Sequence, residues 1–119
     1  MSMLPFLIFA LSAPANAGSC QLLMDKYDEM PFHGEALVLK RGEFKVSPHV
    51  LGRSQFAACA IISFQIDDDG NAVGPKVVEY WPSRGVGEAA RTSLRDYKFN
   101  MGDHGKRYVL FLQYNGAAI

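Results

Sequence analysis

The sequence predicts an α+β fold: a three- or four-stranded antiparallel sheet packed against one main helix. Residues 60–66 and 108–114 have the two-residue alternation of strands. Asp69-Gly70 is a strong hairpin signal between residues 60–66 and the next strand-like run, 73–80. Residues 86–97 then carry one apolar stripe at helical spacing. One helix on a small antiparallel sheet follows from this order of elements.

Length and composition allow one small domain and exclude a basic binding surface. The chain has 119 residues and is 49% hydrophobic, which suits a single modest core. Twelve basic residues balance twelve acidic ones. Because nucleic-acid binders carry a clustered positive charge, we expect no nucleic-acid partner.

The N-terminus is predicted to be a secretory signal peptide. Residues 1–17 contain no charged side chain and end in Pro14-Ala15-Asn16-Ala17, an Ala-x-Ala cleavage pattern. The apolar run is shorter than the roughly 20 residues that a membrane-spanning helix needs. Export with cleavage after Ala17 is therefore the expectation, and an uncleaved anchor is the alternative.

Two cysteines allow one intramolecular disulfide, Cys20 with Cys59, if the chain reaches an oxidising compartment. Closing a loop of about 40 residues would stabilise the fold by on the order of 3 to 4 kcal/mol. Two alternatives remain open. The cysteines could stay free, or Cys20 could be lipidated and tether the chain to a membrane, because Ala17-Gly18-Ser19-Cys20 is similar to a lipoprotein cleavage box.

Residues 18–47 form a lead-in to the main domain, 48–119. Residues 18–33 show no sustained period and predict a short helix or an irregular segment. Residues 35–39 and 43–46 are short apolar-containing runs around Lys40-Arg41-Gly42, which suits a hairpin or a bulged strand. Ser47-Pro48-His49 then interrupts the pattern.

Within the main domain, the alternation predicts a buried face on the first strand, formed by Ala60, Ile62, Phe64 and Ile66. In the next strand Pro75 removes a ladder donor, which predicts an edge position or a bulge there. Trp81 and Tyr97 are expected to pack where the helix meets the sheet.

Motifs for catalysis and metal binding are missing, so we expect no enzyme activity, no cofactor and no metal. The histidines are scattered without zinc spacing. If Gly70 held the sixth position of an EF-hand loop, Gln65 and Lys76 would hold its first and twelfth, which defeats calcium binding. A small exported enzyme would depend only on His104 beside Asp103.

The main domain resembles the C-terminal domain of TonB, the periplasmic part of an energy transducer. The resemblance spans residues 47–116. The features that carry it are Pro48, the alternating run 60–66, Asp69-Gly70, the alanine-rich helix 88–95, the aromatic pair Tyr97-x-Phe99 and the closing run Leu110-Phe111-Leu112-Gln113-Tyr114-Asn115-Gly116. The resemblance implies that the elements follow the order β-β-α-β. It also implies that the domain lies in the periplasm.

The resemblance also implies a peptide-binding site. In TonB-like domains the last strand pairs with a short extended peptide, the TonB box, of an outer-membrane transporter. By position, the site here comprises Val109, Leu110, Phe111, Leu112, Gln113 and Tyr114, with Val46 and Ser47 nearby. Energy transduction would require an inner-membrane partner. One alternative is that residues 35–46 already cover this edge. The other is a stand-alone accessory domain or a homodimer that uses the same edge, with Phe111 on the outward face.

Overall fold

A computed structural model describes residues 19–51 and 57–114, so the predicted signal peptide and the end of the closing run, 115–116, lie outside it. Three helices and five strands are present in these ranges: α1 Ser19–Asp28, β1 Val38–Lys40, α2 Pro48–Leu51, β2 Ala58–Ile66, β3 Ala72–Trp81, α3 Arg84–Ser93, β4 Lys98–Phe99 and β5 Tyr108–Tyr114. Short 3-10 turns occupy Glu35–Leu37 and Leu94–Asp96. The α+β class is confirmed.

The main sheet has three antiparallel strands in the order β3-β2-β5. Strands β2 and β5 pair without a register shift from Ala58↔Tyr114 to Phe64↔Tyr108. Strands β2 and β3 shift register twice, the second time between Ser63 and Gln65, opposite the segment that holds Pro75. The prediction for Pro75 is therefore confirmed, since β3 is an edge strand and is irregular there.

The predicted hairpin between β2 and β3 is closed by an aspartate. The Asp67 Oδ1 accepts hydrogen bonds from the backbone N–H of Asp69, at 2.9 Å, and of Asn71, at 2.8 Å. Gly70 has φ of +82°, which glycine adopts without steric cost. Local turn chemistry thus accounts for the sharp reversal that makes the two strands antiparallel.

Helix α3 covers the sheet face predicted to be buried. The four residues Ala60, Ile62, Phe64 and Ile66 are all buried, in one cluster with Ala90 and Leu94 of α3 and its 3-10 extension. Gly87 allows the close approach, because a Cβ there would lie 2.8 Å from a methyl of Val77. Tyr97 is buried as predicted, with its ring stacked on Phe99, whereas Trp81 is only partly buried.

Helix α1 covers the opposite face of the sheet, which the sequence left without a partner. The predicted disulfide joins Cys20 of α1 to Cys59 of β2. At the other end of the helix, the Tyr27 ring lies 5.8 Å from that of Phe111 in β5. Cys59 and Ile61 are fully buried as a result. The fold therefore has three layers, α1, sheet and α3, rather than a sheet with one helix.

The sequence predicts a hairpin or a bulged strand around Lys40-Arg41-Gly42. The hairpin does not form, whereas the pairing of β1 shifts register between Val38 and Lys40. Strand β1 pairs with β4 in a two-stranded sheet, and residues 41–47 have no regular structure. A Cβ at Gly42 would lie 2.5 Å from the Ser93 carbonyl oxygen, so the chain passes tightly over the end of α3. Val46 then packs with Ala58 and Val86. Packing of Val46 replaces local strand pairing, and it joins the lead-in to the core of the main domain.

Candidate strand-addition edge

The outer edge of β5 is identified by the hydrogen bonds of Val109. Its N–H donates to the Phe32 carbonyl, at 3.0 Å, and its carbonyl accepts from the Gly34 N–H, at 2.8 Å. Both backbone groups of Val109 therefore point away from β2. Because the direction alternates along a strand, those of Phe111 and Gln113 also point outward.

One short segment covers the start of this edge. Phe32–Gly34, here called the strap, runs parallel to β5 and forms a single bridge, His33↔Val109. The ladder stops there because the Gly34 carbonyl, which would otherwise meet the Phe111 N–H, accepts from Leu37 at 2.9 Å. Within residues 19–51 and 57–114, no backbone group bonds the outward side of Phe111 or Gln113. These outward groups of Phe111 and Gln113 form the open edge.

An aromatic cluster lies beside the open edge on the α1 side. The Tyr27 ring is stacked on His33, with ring centroids 4.0 Å apart, and is tilted against Phe111. The His33 Nε2 lies 2.7 Å from the Tyr27 carbonyl oxygen and so donates to it. The Tyr27 hydroxyl is buried and has no hydrogen-bond partner among the described atoms. Burial, and then the Asp28 carboxylate, raise the pKa of Tyr27.

On the α3 side, Val46 and Ser47 are the residues predicted to lie near the site, and both are engaged by other parts of the chain. Val46 is 9% exposed and its side chain is held between Ala58 and Val86. The Ser47 carbonyl accepts from Val50 in the first turn of α2. Phe44 comes closer, because its ring packs edge-on against Tyr114 at 6.2 Å. The sequence indicated the nearby segment but not which residue turns toward β5.

The predicted site residues in β5 thus fall into three groups. Phe111 and Gln113 present outward backbone groups that have no backbone partner among residues 19–51 and 57–114, and Val109 is bonded to the strap. Leu110 and Leu112 are buried and direct their backbone groups to β2, as does Tyr114 at the end of the pairing. An incoming strand therefore meets outward backbone groups at Phe111 and Gln113, beyond the end of the strap.

The two edges of the sheet differ in how they resist a new strand. Edge strand β3 has two register shifts, Pro75 and the charged Lys76. The Arg107 guanidinium fills its second irregularity, donating to the carbonyls of Ser63, at 3.0 Å, and Gly74, at 2.6 Å. Strand β5 has no proline, charge or register shift between residues 108 and 114. Since such features block edge pairing, β5 is the edge suited to accept a strand.

Other chemistry is sparse in the ranges that the structure covers. No group of three or more histidine, cysteine or acidic side chains there could hold a metal ion. His104 lies 3.3 Å from Asp68, but both side chains are at least 75% exposed. A search of the same ranges for helices of membrane-spanning length and hydropathy finds none. The open edge is therefore the feature with the clearest binding chemistry.

Sequence comparison finds no match to the chain among protein-family models or among curated proteins.

Proposed function

We propose that this protein is an exported, TonB-like periplasmic module that binds an extended peptide of an outer-membrane transporter by strand addition at β5. The observation that carries the proposal is the open edge, where Phe111 and Gln113 direct backbone groups away from β2. The strand-strand-helix-strand order of β2, β3, α3 and β5 supports it, because TonB-like domains place their peptide on the last strand.

The open edge predicts weak binding of the peptide. Phe111 and Gln113 offer four backbone groups, and each hydrogen bond contributes about 0.5–1.5 kcal/mol net. Their sum is roughly 2 to 6 kcal/mol, a range that includes the free energy of millimolar binding. The cost of ordering the peptide must be subtracted from it. Contacts with the rings of Phe111 and Tyr114, both partly exposed, would have to add to it.

A proline at Gln113 tests the site while keeping the fold. Gln113→Pro removes an outward N–H, which an edge strand tolerates, whereas Gln113→Ala keeps it. In an NMR titration with a synthetic TonB-box peptide, we expect shifts of the Phe111 and Gln113 amides in the parent protein and in Gln113→Ala. Gln113→Pro should bind at least fivefold more weakly, since it loses one hydrogen bond and crowds the entering strand.

Amides of β3 serve as the internal reference in this titration, because that edge resists pairing. If millimolar peptide leaves Phe111 and Gln113 unmoved in the parent protein, strand addition at β5 is excluded. Equal binding by the proline and alanine variants would place the peptide elsewhere on the molecule.

Transduction of energy would require a physical link to an inner-membrane partner. Residues 1–17 have the features of a signal peptide, and the Cys20–Cys59 disulfide suits an oxidising compartment. A disulfide-bonded Cys20 cannot also carry a thioether-linked lipid, so this pairing favours a free exported domain over a lipoprotein. Mass spectrometry of the mature N-terminus tests this, and a lipidated Cys20 would exclude the disulfide form.

A second function is favoured by the symmetry of the open edge. Under a two-fold axis through Leu112, Phe111 of one copy faces Gln113 of the other, and both direct their backbone groups outward. The same four groups could therefore join two copies into an accessory homodimer without energy transduction.

A further inference from the structure

The strap occupies the line that an entering peptide must follow. The outward residues Phe111 and Gln113 lie about 7 Å apart along the strand. The next outward position is Val109, whose N–H and carbonyl are both bonded to the strap. A longer extended peptide, continuing along β5 from Phe111, meets Gly34.

The strap is held by two backbone hydrogen bonds, by the His33 ring and by the buried Gly34 beside Phe64 and Tyr108, and it contains one strained residue. Two backbone hydrogen bonds join it to Val109, and the His33 ring joins it to Tyr27 by stacking and by the bond to the Tyr27 carbonyl. Phe32 has φ of +59°, the left-handed region that L side chains avoid. It is also 49% exposed, with the Lys106 ammonium 4.3 Å from its ring centre. Strain at an exposed phenylalanine favours release.

We propose that the strap is a displaceable cover that an entering peptide exchanges off β5, gaining Val109 in addition to Phe111 and Gln113. This inference rests on the proposed function. Exchange replaces the two strap hydrogen bonds with two peptide ones, so its cost comes from the His33 contacts, the contact of Phe32 with Lys106 and the exposure of buried Gly34, and relief at Phe32 offsets part of it. Binding is then governed by how often the strap is open.

The substitution His33→Ala tests the strap directly. It removes the ring stack and the bond to the Tyr27 carbonyl while leaving both backbone bonds of the strap in place. Hydrogen exchange of the Val109 amide, measured without peptide, should accelerate about tenfold. Affinity for a synthetic TonB-box peptide should rise by up to the same factor. His104→Ala is the matched control, since His104 is exposed and contacts Asp68 instead.

The outcomes separate this proposal from the proposed function. Unchanged Val109 exchange in His33→Ala overturns the strap, whatever the peptide does. Faster exchange with unchanged peptide affinity overturns its control of binding and leaves strand addition intact. If Val109 exchange is faster in His33→Ala but neither the variant nor the parent binds the peptide, only the proposed function is overturned, because the opening of the strap has then been observed. Faster exchange with tighter binding supports both.

A second variant should act in the opposite direction. Phe32→Asn keeps the left-handed conformation at lower cost, because asparagine tolerates it. The lost contact with Lys106 is smaller than the strain that is removed. The strap should therefore hold more firmly, with Val109 exchange slowed about threefold and peptide affinity lowered by the same factor. Acceleration in both variants would mean that any change to the segment loosens it, which overturns the role of strain at Phe32.

Discussion

At the scale of single residues, the Tyr27 hydroxyl is expected to lower the free energy of unfolding by an amount that can be measured. It is buried without a hydrogen-bond partner in the described part of the chain, while its ring contacts His33 and Phe111. Tyr27→Phe keeps the ring and removes the hydroxyl. We expect the variant to be more stable by about 1 kcal/mol at pH 7 in urea unfolding. Tyr80→Phe, at a 39% exposed position, should change stability by less than about 0.5 kcal/mol.

The same variant carries a pH signature with a definite sign. Burial raises the pKa of Tyr27 in the folded protein, so the unfolded chain loses the hydroxyl proton at a lower pH than the folded protein does. The protonated form of Tyr27 is favoured by folding, and this contribution to the free energy of unfolding is complete below about pH 10. It is lost as the pH rises through the higher pKa of the folded protein. Tyr27→Phe should therefore lose less stability than the parent above pH 10. Tyr27→Phe could instead be less stable than the parent by about 1 kcal/mol at pH 7 and lose stability just as steeply above pH 10. That result would mean that a partner such as water satisfies the hydroxyl.

Residue-level prediction succeeded where chemistry is local and failed where it depends on a distant neighbour. Asp69-Gly70 and Pro75 act on their own turn and strand, so the hairpin and the irregularity in β3 were predictable. The contact of His33 with Tyr27 and the bridge to Val109 join segments that no periodicity connects. For that reason the sequence predicted β5 but not which of its residues have free backbone groups.

At the scale of elements, α1 is held to the sheet mainly by its disulfide. Its other described contacts include the Tyr27 ring and an ion pair between Lys26 and Glu79 at 2.5 Å, with side chains 52% and 38% exposed. Exposed pairs of this kind add little. The disulfide closes a loop between residues 39 apart in sequence, for which the chain-entropy model gives on the order of 3 to 4 kcal/mol.

Reduction should therefore lower the melting temperature by roughly 12 to 32 °C, at about 4 to 8 °C per kcal/mol for a domain of this size. Thermal denaturation followed by circular dichroism, with and without reductant, measures it. The double variant Cys20→Ala/Cys59→Ala should melt near the reduced temperature in both buffers. A parent protein that keeps its melting temperature after complete reduction, shown by thiol titration, would mean that packing alone holds α1.

Element length decided which elements the sequence could predict. Strands β2, β3 and β5 span 7 to 10 residues and α3 spans 10, long enough for their periods to be visible. Strands β1 and β4 have 3 and 2 residues and pair across about 60 positions, so their pattern carries no signal. Of the hairpin or bulged strand expected at 35–46, the hairpin does not form, because packing over α3 outweighs a local turn signal, and β1 is irregular.

At the scale of the whole molecule, the open edge is the proposed site for either a peptide or a second copy, and its hydrogen bonds alone are too few for a stable dimer. Two copies joined at Phe111 and Gln113 gain four backbone hydrogen bonds, about 2 to 6 kcal/mol in sum. Micromolar association needs about 8.2 kcal/mol net of the entropy lost on association. A peptide or a second copy that displaces the strap also reaches Val109, but it gains no net hydrogen bond there, because the two new bonds replace the two that join Val109 to the strap.

The mature protein should therefore be a monomer at about 50 μM in sedimentation velocity, because four edge hydrogen bonds fall short of a micromolar dimer. Gln113→Lys is the informative variant. A charge on an exposed edge position opposes strand pairing without disturbing the core, since the Gln113 side chain already faces solvent. We expect parent and variant to sediment alike as monomers. A parent dimer that Gln113→Lys dissociates would contradict this and favour the self-pairing accessory domain, because the open edge would then be occupied by a second copy before any peptide arrives.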